Sequence, residues 1–271
     1  MLCRGQVSTW TLRHGARPVY KERLDMRYAW RPDIPDHRDR YYKSVTMVLP
    51  KTVSKIGTKN RIEDQGNLGS CTGNSSTSAL EITLGIEHQL SRLMAYYNAR
   101  VIDGYVNEDA GAYIRSAIKG LVKVGVSTED LWPYIVSKFR TKPTARAYTD
   151  ATALVAANAG KIEYARVTSL PALKQCLAQR NPVVFGFMVP ESFETMTKSY
   201  LLTLPKRGEA ILGGHAVVAV GYNDKVSKPY IWVRNSWGQD WGLSGYFKMT
   251  QDWFLDSRRL VDDLWVIRKI K

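Results

Sequence analysis

The apolar pattern of this chain changes period near residue 150, and that change limits the possible folds more than any other feature of its 271 residues. Downstream of Cys71, the residues Ala79, Ile82, Ile86, Leu90 and Leu93 step by three or four. That spacing puts them on one face of a helix and predicts a single long buried helix with Cys71 at its start. Ile114, Ala117, Ile118 and Leu121 predict a second helix between Gly111 and a stop near Gly125. Beyond residue 150 the apolar residues gather into short β-branched or aromatic runs, Val183 to Phe187, Ala216 to Tyr222, Tyr230 to Val233 and Tyr246 to Met249, separated by Gly, Pro, Asn or Asp. Helices first and strands second is the α+β pattern, with a helical lobe over about 59–150 and a strand-rich lobe over about 151–271. The chain contains no internal repeat and no low-complexity segment.

Residues 1–58 show neither period, and the two prolines of Arg31-Pro32-Asp33-Ile34-Pro35-Asp36 impose extended or turn backbone. This stretch reads as an N-terminal extension preceding a domain at 59–271. It also carries much of the +14 net charge, with 13 Lys or Arg against 5 Asp or Glu in residues 1 to 60. No nucleic-acid-binding motif accompanies the charge, so a solvated basic face is expected and nucleic acid is not expected as a partner. No apolar run approaches the roughly 20 residues of a membrane-spanning helix. Met1 to Tyr20 also lacks the apolar core and cleavage site of a secretory signal. Cys3, Cys71 and Cys176 are too few for a disulfide framework, and no two have metal-ligand spacing. The expectations are therefore no metal, no other cofactor, no membrane and a reducing cytoplasm. Cys176 lies among residues at helical spacing and reads as core packing, and Cys3 as a terminal thiol.

A thiol in the first turn of a helix meets unpaired backbone N–H groups and the positive end of the helix dipole, both of which favour the thiolate. Cys71 is set for that, and a neighbouring imidazolium would favour the thiolate further. His215 is the only one of the four histidines within a strand-like run, Gly213-Gly214-His215-Ala216-Val217-Val218, where the glycines leave room for substrate. A base needs an orienting partner. Asn235, in Arg234-Asn235-Ser236-Trp237-Gly238, can offer its amide oxygen to the far ring nitrogen, and Trp237 can shield that bond from water. Gln65, six residues before Cys71, and the Cys71 backbone N–H supply donors for an oxyanion. Taken singly, each is an ordinary residue: a structural Cys, a core His, an Asn in a turn, a surface Gln, a core Trp. Their order and neighbours together point to acyl transfer through a Cys-His-Asn site.

Five ordered pieces then resemble the papain-like cysteine peptidases: Gln65-Gly66, Gly69-Ser70-Cys71, Gly214-His215-Ala216, Asn235-Ser236-Trp237-Gly238 and Trp241-Gly242-Leu243-Ser244-Gly245-Tyr246. His215 follows Cys71 by 144 residues and Asn235 follows His215 by 20. Thr72, after Gly69-Ser70-Cys71, is similar to the compact bacterial and phage branch, as are Tyr96-Tyr97-Asn98-Ala99-Arg100, Asn107-Glu108-Asp109-Ala110-Gly111-Ala112 and Leu131-Trp132-Pro133-Tyr134. The resemblance implies a two-lobe α+β fold, a helical lobe carrying the Cys and an antiparallel, barrel-like β lobe carrying the His and Asn. It implies a cysteine endopeptidase acting on peptides or proteins, with Cys71 as nucleophile, His215 as acid and base, Asn235 as orienter and Gln65 as oxyanion donor. Substrate would lie against Ala110, Gly111, Gly214 and Trp237, with Gly111 offering backbone hydrogen bonds to an extended peptide. Leu68 stands where many members have a disulfide cysteine, so the helical lobe is expected to rely on packing. Ala110 replaces the first glycine of the substrate-strand pair, and the segment from Trp30 to Asp36 is similar to the leader of the bacterial branch.

Two matters stay open at this level. Residues 1–58 either lie in the cleft as a plug or pack away from it as a strap. The scaffold either cleaves peptides, transfers or deamidates amides by the same acyl-enzyme chemistry, or serves as a silent binding protein. Specificity and oligomeric state are not legible.

Overall fold

A computed structural model describes residues 28–57, 60–158, 162–197 and 199–269; Cys3 and the start of the extension lie outside the described residues. Helix α1 (Cys71–Leu84) begins immediately after Ser70 and is almost wholly buried. Its sequence is small and polar, and two of its hydroxyls bond back to the helix itself, Thr77 Oγ1 donating to Gly73 O at 2.9 Å and Ser75 Oγ to Thr72 O at 3.3 Å. Gly73 allows a neighbouring helix to approach closely, since a Cβ there would lie 2.8 Å from Arg92 O.

The single long helix expected through Leu93 is in fact two. Gly85, left-handed at φ 67°, closes α1. Ser91 then caps α2 (Arg92–Asp103), its side chain accepting from Met94 N. The apolar steps at Ile86 and Leu90 continued a helical period across a turn. Helix α3 (Ile114–Lys123) forms where expected and stops before Gly125. Helix α4 (Ala145–Ala157) straddles the change of period, and α5 (Leu170–Ala178) buries Cys176 in the core.

The strands are β1 (Thr52–Val53), β2 (Ile162–Arg166), β3 (Val183–Pro190), β4 (Leu201–Leu202), β5 (Ile211–Asn223), β6 (Tyr230–Arg234), β7 (Tyr246–Thr250) and β8 (Val261–Lys269). They form one sheet in the order β2-β8-β3-β5-β6-β7-β4, with β1 against β5, and only the β4–β7 pair is parallel. The four expected strand runs are β3, β5, β6 and β7. Strand β8 escapes sequence reading because Asp262 and Asp263 interrupt its apolar run, with Asp263 at φ 52° and a register shift opposite them in β3. One continuous core spans both lobes, and α1 packs directly on β5, so the first residue of one element meets the middle of the other.

The extension from residue 33 onward packs as a strap. Arg166 N donates to Arg40 O, and Tyr42 N to Arg166 O at 2.8 Å, which fastens the strap to β2. Asp33, Tyr42 and Ile56 are buried in the process.

Candidate active site

Cys71 is the first residue of α1 and is fully enclosed. Backbone N–H groups of Ala216, Ala29 and Thr72 face its sulfur. Ala216 follows His215 on β5, so the helix start and the histidine strand meet at the thiol. The register Phe187↔His215 fixes the imidazole against β3. Its Nε2 lies 2.7 Å from Asn235 Oδ1. Ser236 N also donates to that oxygen at 2.9 Å, which identifies it as the amide's acceptor. An acceptor there requires the proton on Nε2, leaving Nδ1 as the nitrogen with a lone pair. Nδ1 has no hydrogen-bond partner among the described residues.

Trp237 stacks on the imidazole, ring centroids 5.2 Å apart and 29° between planes, and is backed by Trp241 and Phe193. Asn235 itself is held from both sides: its N–H donates to Gly245 O at 2.9 Å, and the preceding Arg234 forms a buried ion pair with Glu63 at 3.1 Å. Gln65 is locked to the next residue along, since Gln65 N donates to Ser236 O at 2.9 Å and Ser236 Oγ to Gln65 Oε1 at 2.7 Å. Its Nε2 gives one N–H to Leu68 O at 3.0 Å, which places the amide in the loop leading to Cys71.

Residues 28–30 run through the cleft. Ala29 bridges Gly214, Trp30 bridges Ala112, and Trp30 N donates to Gly214 O at 2.9 Å. A Cβ at Gly111, already at φ 73°, would lie 1.7 Å from Ala29 O. A Cβ at Gly186 would lie 2.0 Å from the Trp30 ring. Tyr28 meets the edges of His215 and Trp237 and donates its hydroxyl to Glu194 at 2.5 Å. Gly111, Gly214 and Trp237 border residues 28–30, and the backbone bridge to Trp30 is made by Ala112, beside Gly111. Ala112 and Gly186 went unread because a small residue in a short run carries no distinctive pattern.

This enclosure sets the ionisation of the pair. Burial pushes the Cys71 thiol up to about 11, against the three N–H groups, and the Asp109 charge pushes the same way. Burial also takes His215 down to about 4, with the Asn235 bond opposing. With residues 28–30 seated, both groups are neutral at pH 7. Among the described residues no group of three His, Cys, Asp or Glu side chains can hold a metal. None of their helices is long and apolar enough to cross a membrane.

Known proteins bear on this geometry. The pattern described as papain family cysteine protease matches residues 50–256. A peptidase C1-like protein of Acanthamoeba polyphaga mimivirus is 38% identical over 251 residues, 89% of this chain and 77% of that one. Pro-cathepsin H of Medicago truncatula is 29% identical over 224 residues, covering 77% of this chain and 59% of its own length. Among solved structures, xylellain, a cysteine protease from Xylella fastidiosa, superposes with a TM-score of 0.83 at 36% identity, over 93% of this chain and 100% of the other. A helix-start thiol meeting a strand histidine across two lobes agrees with these matches, and the chain belongs to the papain family of cysteine proteases, a hydrolase of α+β fold.

Proposed function

We propose that the chain is an endopeptidase that cleaves extended peptides through a Cys71 thioester, and that residues 28–30 close its cleft until they are displaced. The observation that carries the reading is the 2.7 Å bond from His215 Nε2 to Asn235 Oδ1, which turns the lone pair on Nδ1 to the base role beside a helix-start thiol. Once the cleft is open to solvent, the Cys71 proton passes to His215 Nδ1 and the thiolate attacks the substrate carbonyl. The developing oxyanion is met by the Cys71 backbone N–H, which has no intrahelical acceptor, and by the Gln65 amide. His215 returns its proton to the leaving amine, then takes one from the water that hydrolyses the thioester. Asn235 keeps the ring in the productive tautomer throughout. Gly111 and Gly214, which already flank an extended segment, would flank the substrate, and Gly69-Ser70-Cys71-Thr72 with the Xylella likeness supports the compact bacterial and phage branch.

The test is peptide cleavage by full-length protein with Cys71→Ala beside it. Cleavage is expected to vanish, and an epoxide inhibitor of cysteine peptidases to label Cys71 in the active protein. Unchanged cleavage by the variant would sink the reading.

A further inference from the structure

The loop carrying the nucleophile is not covalently tied to the wall of the cleft, since Cys71 is a free thiol and Leu68 is a buried side chain. It is also conformationally loose in sequence, with Gly66 at φ 56° and Gly69 two residues before the thiol. Among the side chains that reach it is that of Asp109, two residues before Gly111. Gly69 N donates to both oxygens of Asp109 at 3.1 Å. Asp109 Oδ1 also accepts from the Tyr96 hydroxyl at 2.6 Å, and that hydroxyl in turn accepts from Gly111 N at 3.2 Å. Tyr96 is a rigid post: it is fully buried on α2, its Cβ sits in the notch left by Gly73, and the Arg100 guanidinium lies 4.1 Å from its ring centre.

We propose that Asp109 is a positioning residue, whose carboxylate, with Tyr96, sets the spacing between the Cys71 loop and the Gly111 wall against which substrate lies. This rests on the peptidase reading above and deepens it. A bond to the N–H two residues before the nucleophile orients the first turn of α1, and with it both the sulfur and the Cys71 N–H. The bond from Gly111 to Tyr96 places the substrate wall from the same anchor. Charge-assisted bonds of this kind are stronger than neutral ones. The carboxylate also has an electrostatic cost, because its charge lies near enough to Cys71 to disfavour the thiolate. The Tyr96 hydroxyl also lies close enough to Cys71 for a thiolate there to oppose its ionisation. The rest of the loop is held separately, by Ser70 Oγ against Tyr134 Oη at 2.6 Å and by Asn74 Nδ2 to Ser70 O at 2.9 Å, bonds that do not involve Asp109.

The experiment compares Asp109→Ala, Asp109→Asn and Tyr96→Phe with the parent in full-length protein. It measures kcat and KM on a peptide substrate, the pH profile of Cys71 alkylation by iodoacetamide, and the thermal midpoint. Asp109→Ala is expected to lower kcat/KM about 100-fold, the scale of an ångström-level misplacement. Asp109→Asn keeps an oxygen for Gly69 N and Tyr96 Oη, and is expected to recover to within about tenfold of the parent. Its alkylation profile should move to lower pH, because the charge beside the thiol is gone. Tyr96→Phe, which frees the wall, should raise KM more than it lowers kcat. Asn no better than Ala, or an Ala variant with the parent's kcat/KM and alkylation profile, would overturn the role. If Asp109→Ala does not fold, the Asn and Phe variants decide by the same readouts. Alkylation is measured without substrate, so it tests the positioning even if the parent and Cys71→Ala prove equally inactive on peptides, a result that would remove the peptidase reading alone.

Discussion

Residues 28–30 and residues 33–42 are adjacent in the chain but are gripped by opposite chemistry. The first stretch lies in a cleft of glycines and rings, held by two backbone bridges, ring edges and the Tyr28 hydroxyl. The second is held by charge. Asp33 and Asp39 of the strap and Asp263 of β8 converge on Arg166 at 3.0, 3.1 and 2.8 Å, and Arg115 of α3 reaches Asp39 at 2.9 Å. Asp36 extends the cluster to Arg38 and Lys119, Asp262 lies beside Asp263, and Trp265 Nε1 donates to Asp33 at 2.8 Å. Under the proposed function, a cleft grip of this kind next to a strap held to both lobes would let the cleft open while the fold persists. Among the described residues of the extension, residues 28–30 lie against His215 and Gly214, and residues 33–42 pack against β2 and α3.

The largest expected effect lies at Arg166. Arg166→Ala leaves three buried carboxylates with one guanidinium, and removing one partner of a buried pair costs about 3–5 kcal/mol. The thermal midpoint is expected to fall by about 10 °C, with Cys71 alkylation little changed. A midpoint within a degree of the parent would mean that the strap is not the stabilising half.

The two halves also respond to pH in opposite directions. His215 sits near 4 in the closed cleft against an ordinary 6.5. Opening therefore takes up a proton between those values. The closed state is fully favoured above about 6.5 and loses ground as pH falls toward 4, by at most about 3 kcal/mol. Asp33 and Asp263 are pushed up, mainly by burial, and Asp263 reaches about 7. Here the folded state holds protons that the unfolded chain releases. The stability they lend is present at acid pH and is lost as pH rises toward 7. Protease nicking within residues 28–32 should increase from pH 7 to 4 while the thermal midpoint holds or rises from this cluster. Nicking that is flat across that range would contradict the His215 account.

A smaller effect sharpens the contrast. Gly186→Ala introduces a Cβ 2.0 Å from the Trp30 ring, an overpacking worth about 1–3 kcal/mol. Cys71 alkylation at pH 7 is expected to quicken by roughly 10- to 100-fold through displacement of residues 28–30, with the strap intact. Unaltered alkylation would show that Trp30 does not control access.

Parts of this site are legible without coordinates. Cys71, His215 and Asn235 are marked by residue type and immediate neighbours: a thiol before a helical period, a histidine after two glycines in a strand run, an asparagine before a tryptophan. Strands β3, β5, β6 and β7 declare themselves by composition in the same way. Gly85 hid the break between α1 and α2 because the apolar spacing continued across it. Asp109 hid better, inside a stretch already noted for its resemblance, since a carboxylate accepting from a backbone N–H 40 residues earlier leaves no period or motif. Leu68 is buried, in keeping with reliance on packing where many members have a disulfide cysteine, and the Asp109 bond at the neighbouring Gly69 adds to it.

Residue type alone says which side chains offer a thiol, an imidazole and an amide in this order, the groups the proposed function uses as nucleophile, base and orienter. Tertiary structure alone decided the state of those atoms. The ionisation of Cys71 and His215 depends on lost solvent and on groups within a few ångströms, and those groups, Ala29, Asp109 and Ala216, come from three distant parts of the chain.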